Sequence, residues 1–167
     1  MTHSIVPDLA PLAADAARRG DVETLQRWLD AGLDVNTTTP RGDSLLMLAA
    51  CHGHAALVRG LVDRGANPNQ RDARGQTPLA RVAVKGLVDV ADVLRRGGAH
   101  VNAAAPDGRT PLAVAAAFNR AAMVEWLLGH GASLEARDAA GLSALDVARA
   151  MGAADAVAVL QRGSGTV

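Results

Sequence analysis

The chain has 167 residues, enough for one ordinary domain, and 49% of them are apolar, chiefly alanine, leucine and valine. Its 17 basic residues balance its 17 acidic ones, which argues against general attraction to nucleic acid or to an anionic membrane. No apolar run approaches the ~20 residues of a membrane-spanning helix. The lone Cys51 cannot form an internal disulfide bond, which fits a reducing cytoplasm, so we expect a cytoplasmic protein.

The chain divides into a short extension, one folded domain and a tail. Residues 1–7 are expected to be the extension, residues 8–163 the domain, and residues 164–167 a frayed tail. Within the domain a glycine that ends a helix-like stretch returns every 33 residues, at Gly32, Gly65, Gly98 and Gly131. A fixed period of this length indicates a solenoid of stacked repeats. The expected repeats are about 8–38, 39–71, 72–104, 105–137 and 138–163.

Each inner repeat begins with the same turn and helix start. In Gly75-Gln76-Thr77-Pro78-Leu79 glycine adopts the turn conformation, threonine caps the helix, and proline takes its first position. A short alanine-rich helix follows and ends at a glycine or at Asn119, which also tolerates the left-handed conformation. A second helix with apolar pairs comes next. The loop after it carries asparagines that are expected to tie adjacent turns together: Asn36, Asn69 and Asn102.

The succession of Gly-x-Thr-Pro-Leu, Ala-Ala, Gly-His, Leu-Leu, Gly-Ala and Asn resembles the ankyrin repeat over residues 8–163. The resemblance implies an all-α repeat solenoid of five consecutive repeats, in which helix-turn-helix units carry projecting β-hairpin-like turns and the shorter helices line a concave side. It also implies a protein-binding module. Polar residues of the last copy, Arg149 and Gln161, fit an end of the stack that faces water.

Three features depart from the family pattern. The histidine of Thr-Pro-Leu-His is absent from every copy, so the hydrogen bonds that it makes between turns are expected to be missing and the turns to be looser. Arg81 and Arg95 stand where neighbouring repeats carry apolar residues. Either their stems lie on the core with the heads in water, or they contact an acidic partner or pair with Asp89 or Asp92. In both cases we expect the third repeat to be the least stable and Arg81→Leu to stabilise it.

The candidate binding residues are those that vary between repeats on the turns and at the ends of the short helices. Phe118 is either an exposed anchor or partly buried beneath the next hairpin. Serines stand in no nucleophile pattern, and no glycine-rich phosphate loop is present, so we predict no catalytic residue and no cofactor. His52 and His54 lack a second ligand cluster, so we predict no metal site. The partner-binding candidates are Arg41, Asp43, His52, Arg74, Gln76, Lys85, Asp107, Arg109, Phe118, Leu142 and Met151.

These observations predict a non-catalytic module that binds a partner protein through its concave face and hairpin tips. It would serve as a scaffold, regulator or accessory factor and would be a monomer when free, with no nucleic acid and no membrane among its partners. Its preference for arginine and alanine suggests a GC-rich, bacterial genome. The alternative is a self-associating structural protein whose repeat ends stack, and the polar last repeat argues against it.

Overall fold

A computed structural model describes residues 8–165, which form ten α-helices in an all-α stack, as predicted. The first helices of successive pairs pack against one another in one row, and the second helices from α4 onward pack in another row. The predicted extension 1–7 lies outside the described residues. The last helix ends at Ser164, one residue beyond the predicted domain. The helices are α1 (Ala10–Arg19), α2 (Val22–Asp30), α3 (Leu45–Cys51), α4 (Ala55–Asp63), α5 (Pro78–Lys85), α6 (Val88–Arg96), α7 (Pro111–Ala117), α8 (Ala121–Gly129), α9 (Ala144–Ala150) and α10 (Ala154–Ser164).

The predicted helix starts and stops are confirmed. The side-chain oxygens of four residues accept the backbone N–H three positions further on: Ser44, Thr77, Thr110 and Ser143. Pro78 and Pro111 occupy early helical positions, where their missing N–H groups have no helical partner to lose. Asn119 has a φ of 53°, in the left-handed region, and so ends its repeat's short helix region as Gly86 does with a φ of 72°.

Alanines and leucines fill the space between the two rows of helices. The paired alanines Ala49 and Ala50 of α3, and Ala115 and Ala116 of α7, are fully buried. Their small side chains let neighbouring first helices approach closely. Because each helix pair packs only on its neighbours, the core is one continuous layer along the stack.

Asparagines link the loops of successive helix pairs, as predicted. Asn69 Oδ1 accepts the His100 N–H at 2.8 Å, and its Nδ2 donates to the Gly98 carbonyl at 3.0 Å. Asn102 repeats both bonds one step further along the stack, with Ser133 and Gly131. One amide side chain thus satisfies a donor and an acceptor of the next loop.

The turns before α3, α5, α7 and α9 are β-hairpin-like, and each is closed by a bond between an N–H and the carbonyl four residues on, as from Asp72 to Gln76 at 3.0 Å. The missing histidines do not leave these turns unlinked. The Ala73 N–H donates to the Arg41 carbonyl at 3.0 Å, and Arg71 Nη1 donates to the Ala104 carbonyl of the following turn at 2.8 Å.

None of the helices within residues 8–165 combines the length and the apolar character that a membrane span requires.

Candidate partner-binding cleft

Seven of the predicted binding residues line one cleft of about 500 Å³. The cleft lies between the turns that precede α5 and α7 and the C-terminal ends of α3, α5 and α7. Its apolar lining includes Ala80, Val84, Ala105 and Val114. The predicted residues around it are His52, Arg74, Gln76, Lys85, Asp107, Arg109 and Phe118.

Phe118 is the exposed aromatic residue of the cleft. It follows α7 directly, and 52% of its surface is exposed, so the side chain is half accessible at the cleft and half covered by its neighbours. Asn119 turns the chain immediately afterwards, and this turn holds the Phe118 backbone at the edge of the cleft. Its role as a binding anchor stays a prediction.

Arg81 makes two ion pairs inside the stack, which neither interpretation of the sequence foresaw. Its Nη1 lies 2.6 Å from Asp43 Oδ1 and 3.2 Å from Asp72 Oδ2. The guanidinium is therefore neither in free water nor paired with Asp89 or Asp92. Arg95, in contrast, is exposed on α6, as the first interpretation expected.

Asp43 was predicted to contact a partner, and the structure shows its carboxylate engaged within the stack. Its side chain is only 12% exposed and is turned toward Arg81 across the boundary between two repeats. A carboxylate so covered is stable only when paired, and Arg81 supplies the charge. Asp43 thus stabilises the stack, and the expected stabilisation by Arg81→Leu loses its physical basis.

Asp72 is a buried residue that the sequence analysis missed. Its Oδ1 accepts the N–H groups of Arg74 and Gln76 at 2.9 and 3.0 Å, and its other oxygen accepts from Arg81. Asp138 makes the same pair of backbone bonds in the last turn. An available signal was an aspartate three residues before a turn glycine, since aspartate commonly bonds the backbone of its own turn.

The side chain of Lys85 also serves the stack. Its Nζ donates to the Cys51 carbonyl at 2.6 Å, at the open end of α3. His54 Nε2 and Arg120 Nε donate in the same way, each at 2.8 Å, to the last-turn carbonyls of α1 and α5. Each bond gives a partner to a carbonyl that the helix leaves open, and the charges of Lys85 and Arg120 are also favourable at a helix C-terminus. The neighbouring Cys51 is buried, and burial raises the pKa of its thiol.

The remaining predicted residues lie outside this cleft. Arg41 lies in a second cavity of about 590 Å³, between α1 and the first turn. Leu142 and Met151, which are 39% and 63% exposed, stand in the repeat after the cleft. Leu142 follows Arg109 by one 33-residue period, and Met151 follows Phe118 in the same way. Because α7 packs against α9, these residues continue the row of cleft residues.

Charge is unevenly distributed along this row. Arg41 and Arg74 are exposed and belong to none of the ion pairs formed among residues 8–165. Arg109 Nε stands 3.8 Å from the exposed Asp107 and 3.9 Å from Asp138, whose side chain is only 5% exposed. Within the same residues no cluster of histidine, cysteine, aspartate or glutamate could hold a metal ion.

Comparison with known proteins agrees with this architecture. Residues 13–105 match the family described as ankyrin repeats (3 copies), and residues 94–148 match that described as ankyrin repeats (many copies). Because the first match alone covers more than half of the chain, the protein belongs to the ankyrin-repeat family. It is 51% identical over 45 residues to an ankyrin repeat protein of Pseudomonas aeruginosa. The matched segment spans 27% of this chain and 26% of that relative.

Proposed function

We propose that this chain is a protein-binding module without a catalytic centre, which holds one partner protein against the cleft and the turns beside it. Ankyrin repeats are generally protein–protein interaction modules. The observation that carries the proposal is the cleft itself, where seven variable residues converge on the half-exposed Phe118. Exposed aromatics flanked by arginine are frequent centres of binding energy.

The proposed role is that of a scaffold, regulator or accessory factor in a bacterial cytoplasm. Any activity that it influences would reside in the partner, because the cleft offers cations, an aromatic ring and apolar side chains, and the Cys51 thiol in its lining is buried with a raised pKa. The match to a Pseudomonas aeruginosa protein supports a bacterial origin.

The test is affinity capture from the source organism with the wild-type protein and with Phe118→Ala combined with Arg109→Ala. We expect the double variant to lose most of the captured partner and to keep most of its thermal stability, since both side chains are about half exposed and the buried Asp138 beside Arg109 keeps its two backbone N–H donors. Leu12→Ala combined with Arg59→Ala is a matched control, because Leu12 is also 52% exposed but lies at the N-terminal end of the stack. Equal capture by the cleft variant and the control would remove the cleft from the proposal.

Self-association of the stack is the second candidate function. The exposed Leu12 at the first repeat is an apolar side chain on an end of the stack, which favours it. Exposed polar side chains on the last repeat, Arg149 and Gln161, oppose it. Light scattering over a hundredfold range of concentration separates the two: a constant monomer mass eliminates end stacking, and a rising mass that Leu12→Ala abolishes establishes it.

A further inference from the structure

We infer that the partner of this cleft is an extended peptide segment with an acidic half and an apolar half. The inference rests on the proposed function and adds the chemistry of the occupant. Its basis is a gradient along the row of exposed residues, which changes from cationic to apolar between the second and the fifth helix pair.

The cationic half of the row is formed by exposed residues of the turns and the short helices around α3 and α5. Two nearby carboxylates, Asp43 and Asp72, are buried and bonded to Arg81, so they leave Arg41 and Arg74 without an ion pair among residues 8–165. The exposed carboxylate beside them is Asp107, at the far edge. The exposed cations are Arg41 and Arg74, together with Lys85, which bonds the Cys51 carbonyl, and Arg109, which lies within 4 Å of Asp107 and Asp138.

The apolar half follows directly on α7, on α9 and on the turn between them. Four large apolar side chains are more than a third exposed among residues 8–165, and three of them belong to this half. They are Phe118 at 52%, Leu142 at 39% and Met151 at 63%. Leu142 and Met151 replace Arg109 and Phe118 of the preceding repeat, so polarity falls further toward the C-terminal end.

Charge complementarity identifies the acidic half of the occupant. The chain as a whole is neutral, so the cationic row is a local feature and not a general attraction to polyanions. Arginine guanidinium groups bind carboxylates in a bidentate geometry, and the turns hold Arg41 and Arg74 at equivalent positions of adjacent repeats. An apolar side chain on the same segment would cover Phe118 and Met151, which otherwise stay in water.

Repeat spacing sets the length of the segment. Neighbouring helices pack about 10 Å apart, and an extended peptide advances about 3.3 Å per residue, so each repeat corresponds to about three residues. The row from Arg41 to Leu142 crosses three repeat steps and therefore accommodates about nine residues. The acidic and apolar positions of the occupant should lie about three residues apart or more.

The test is selection of a displayed library of random 12-residue peptides against the immobilised full chain. We expect enriched peptides to carry aspartate or glutamate in one half and large apolar residues in the other. Arg41→Glu combined with Arg74→Glu should weaken a selected peptide about tenfold in low salt and less in high salt. Phe118→Ala combined with Met151→Ala should weaken the binding of that peptide by the same factor at low and at high salt.

Matched controls separate the cleft from general charge and apolarity. Arg59→Glu combined with Arg95→Glu makes the same change of net charge on the second helices α4 and α6, and it should leave binding unchanged. Leu12→Ala is the apolar control. Melting curves of all variants identify any loss that comes from unfolding.

Several outcomes overturn the inference. Enriched peptides that depend on Phe118 but lack the acidic half, or that are basic, overturn it and leave the proposed function in place. A peptide that the controls weaken as much as the cleft variants do overturns the cleft as its site. Failure to enrich any peptide, or displacement of the peptides by a single-stranded oligonucleotide at low concentration, also overturns the inference, and the proposed function is then decided by the capture experiment alone.

Discussion

Replacing Arg81 by leucine is the sharpest test of the packing between the second and third repeats. The aligned residues Leu48 and Val147 are buried, so the alignment alone favours an apolar residue and a gain in stability. The structure predicts a loss instead. Leucine would leave Asp43 and Asp72 without the cation that lies 2.6 and 3.2 Å from their oxygens.

The size of this loss follows from burial. Removing one partner of a buried ion pair costs about 3–5 kcal/mol, and the Asp72 side chain is only 3% exposed. Arg81 itself is 32% exposed, so water screens part of the pair, and about 2–3 kcal/mol remains. Leucine returns about 1 kcal/mol, because the arginine stem already covers much of the same apolar surface. The net destabilisation is about 1.5 kcal/mol, or a fall of about 4 °C in melting temperature.

Thermal and urea unfolding followed by circular dichroism measure the effect. Arg95→Leu is the control, because Arg95 is exposed and its replacement should change stability by less than about 0.5 kcal/mol. Adding Asp43→Asn to Arg81→Leu removes one stranded charge and should recover about half of the loss. If Arg81→Leu melts at or above the wild-type temperature while Arg95→Leu is neutral, the two ion pairs contribute nothing and the reasoning is wrong.

Three further predictions concern Asn119 and Cys51. Asn119 Oδ1 accepts the Ala156 N–H at 2.9 Å, so Asn119→Gly should lower the free energy of unfolding by about 1 kcal/mol through loss of this bond. Asn119→Ala should lower it by about 1 kcal/mol more, because the φ of residue 119 is positive. Equal urea midpoints for the glycine variant and the wild type would contradict the role of the bond. Burial raises the Cys51 thiol pKa, so the thiol should react at least about tenfold faster with iodoacetamide in guanidinium than in the native state at pH 8. The native state holds the thiol proton more tightly than the unfolded chain, so Cys51 should make the free energy of unfolding decline as pH rises above about 8.5. An equal decline in a Cys51→Ala variant would show that the thiol is not its cause.

The fold was predictable because the same local signals for turns, helix starts and helix ends recur in successive repeats. Local sequence determines the caps at Thr77 and Thr110 and the left-handed conformation of Asn119, because capping and positive φ depend on a few neighbouring residues. These were confirmed. The asparagine bridges of Asn69 and Asn102 were also predictable, because the period places the same loop one step further along the stack.

The candidate site was predictable only in part, because polar residues at one repeat position have different environments in three dimensions. Asp43, Gln76 and Arg109 occupy the same position of successive turns, and the sequence gives no sign of which one is engaged within the stack. The contact of Asp43 with Arg81 spans 38 residues, so no local pattern reveals it. Exposure of Phe118 likewise depends on how the following hairpin sits, which spacing alone left open.

The arginines of this chain show how the stack separates structural from available charge. Arg81 lies on a short helix that faces the carboxylates of two turns, and Arg71 reaches the carbonyls of two turns, so both are held by the fold. Arg41 and Arg74 lie at the tips of the turns, and neither forms an ion pair with a carboxylate of residues 8–165. Stability and binding should therefore respond to different arginines. Charge reversal at Arg41 and Arg74 should act on a partner and leave the melting temperature unchanged, whereas loss of Arg81, which also lines the cleft, should lower the melting temperature first.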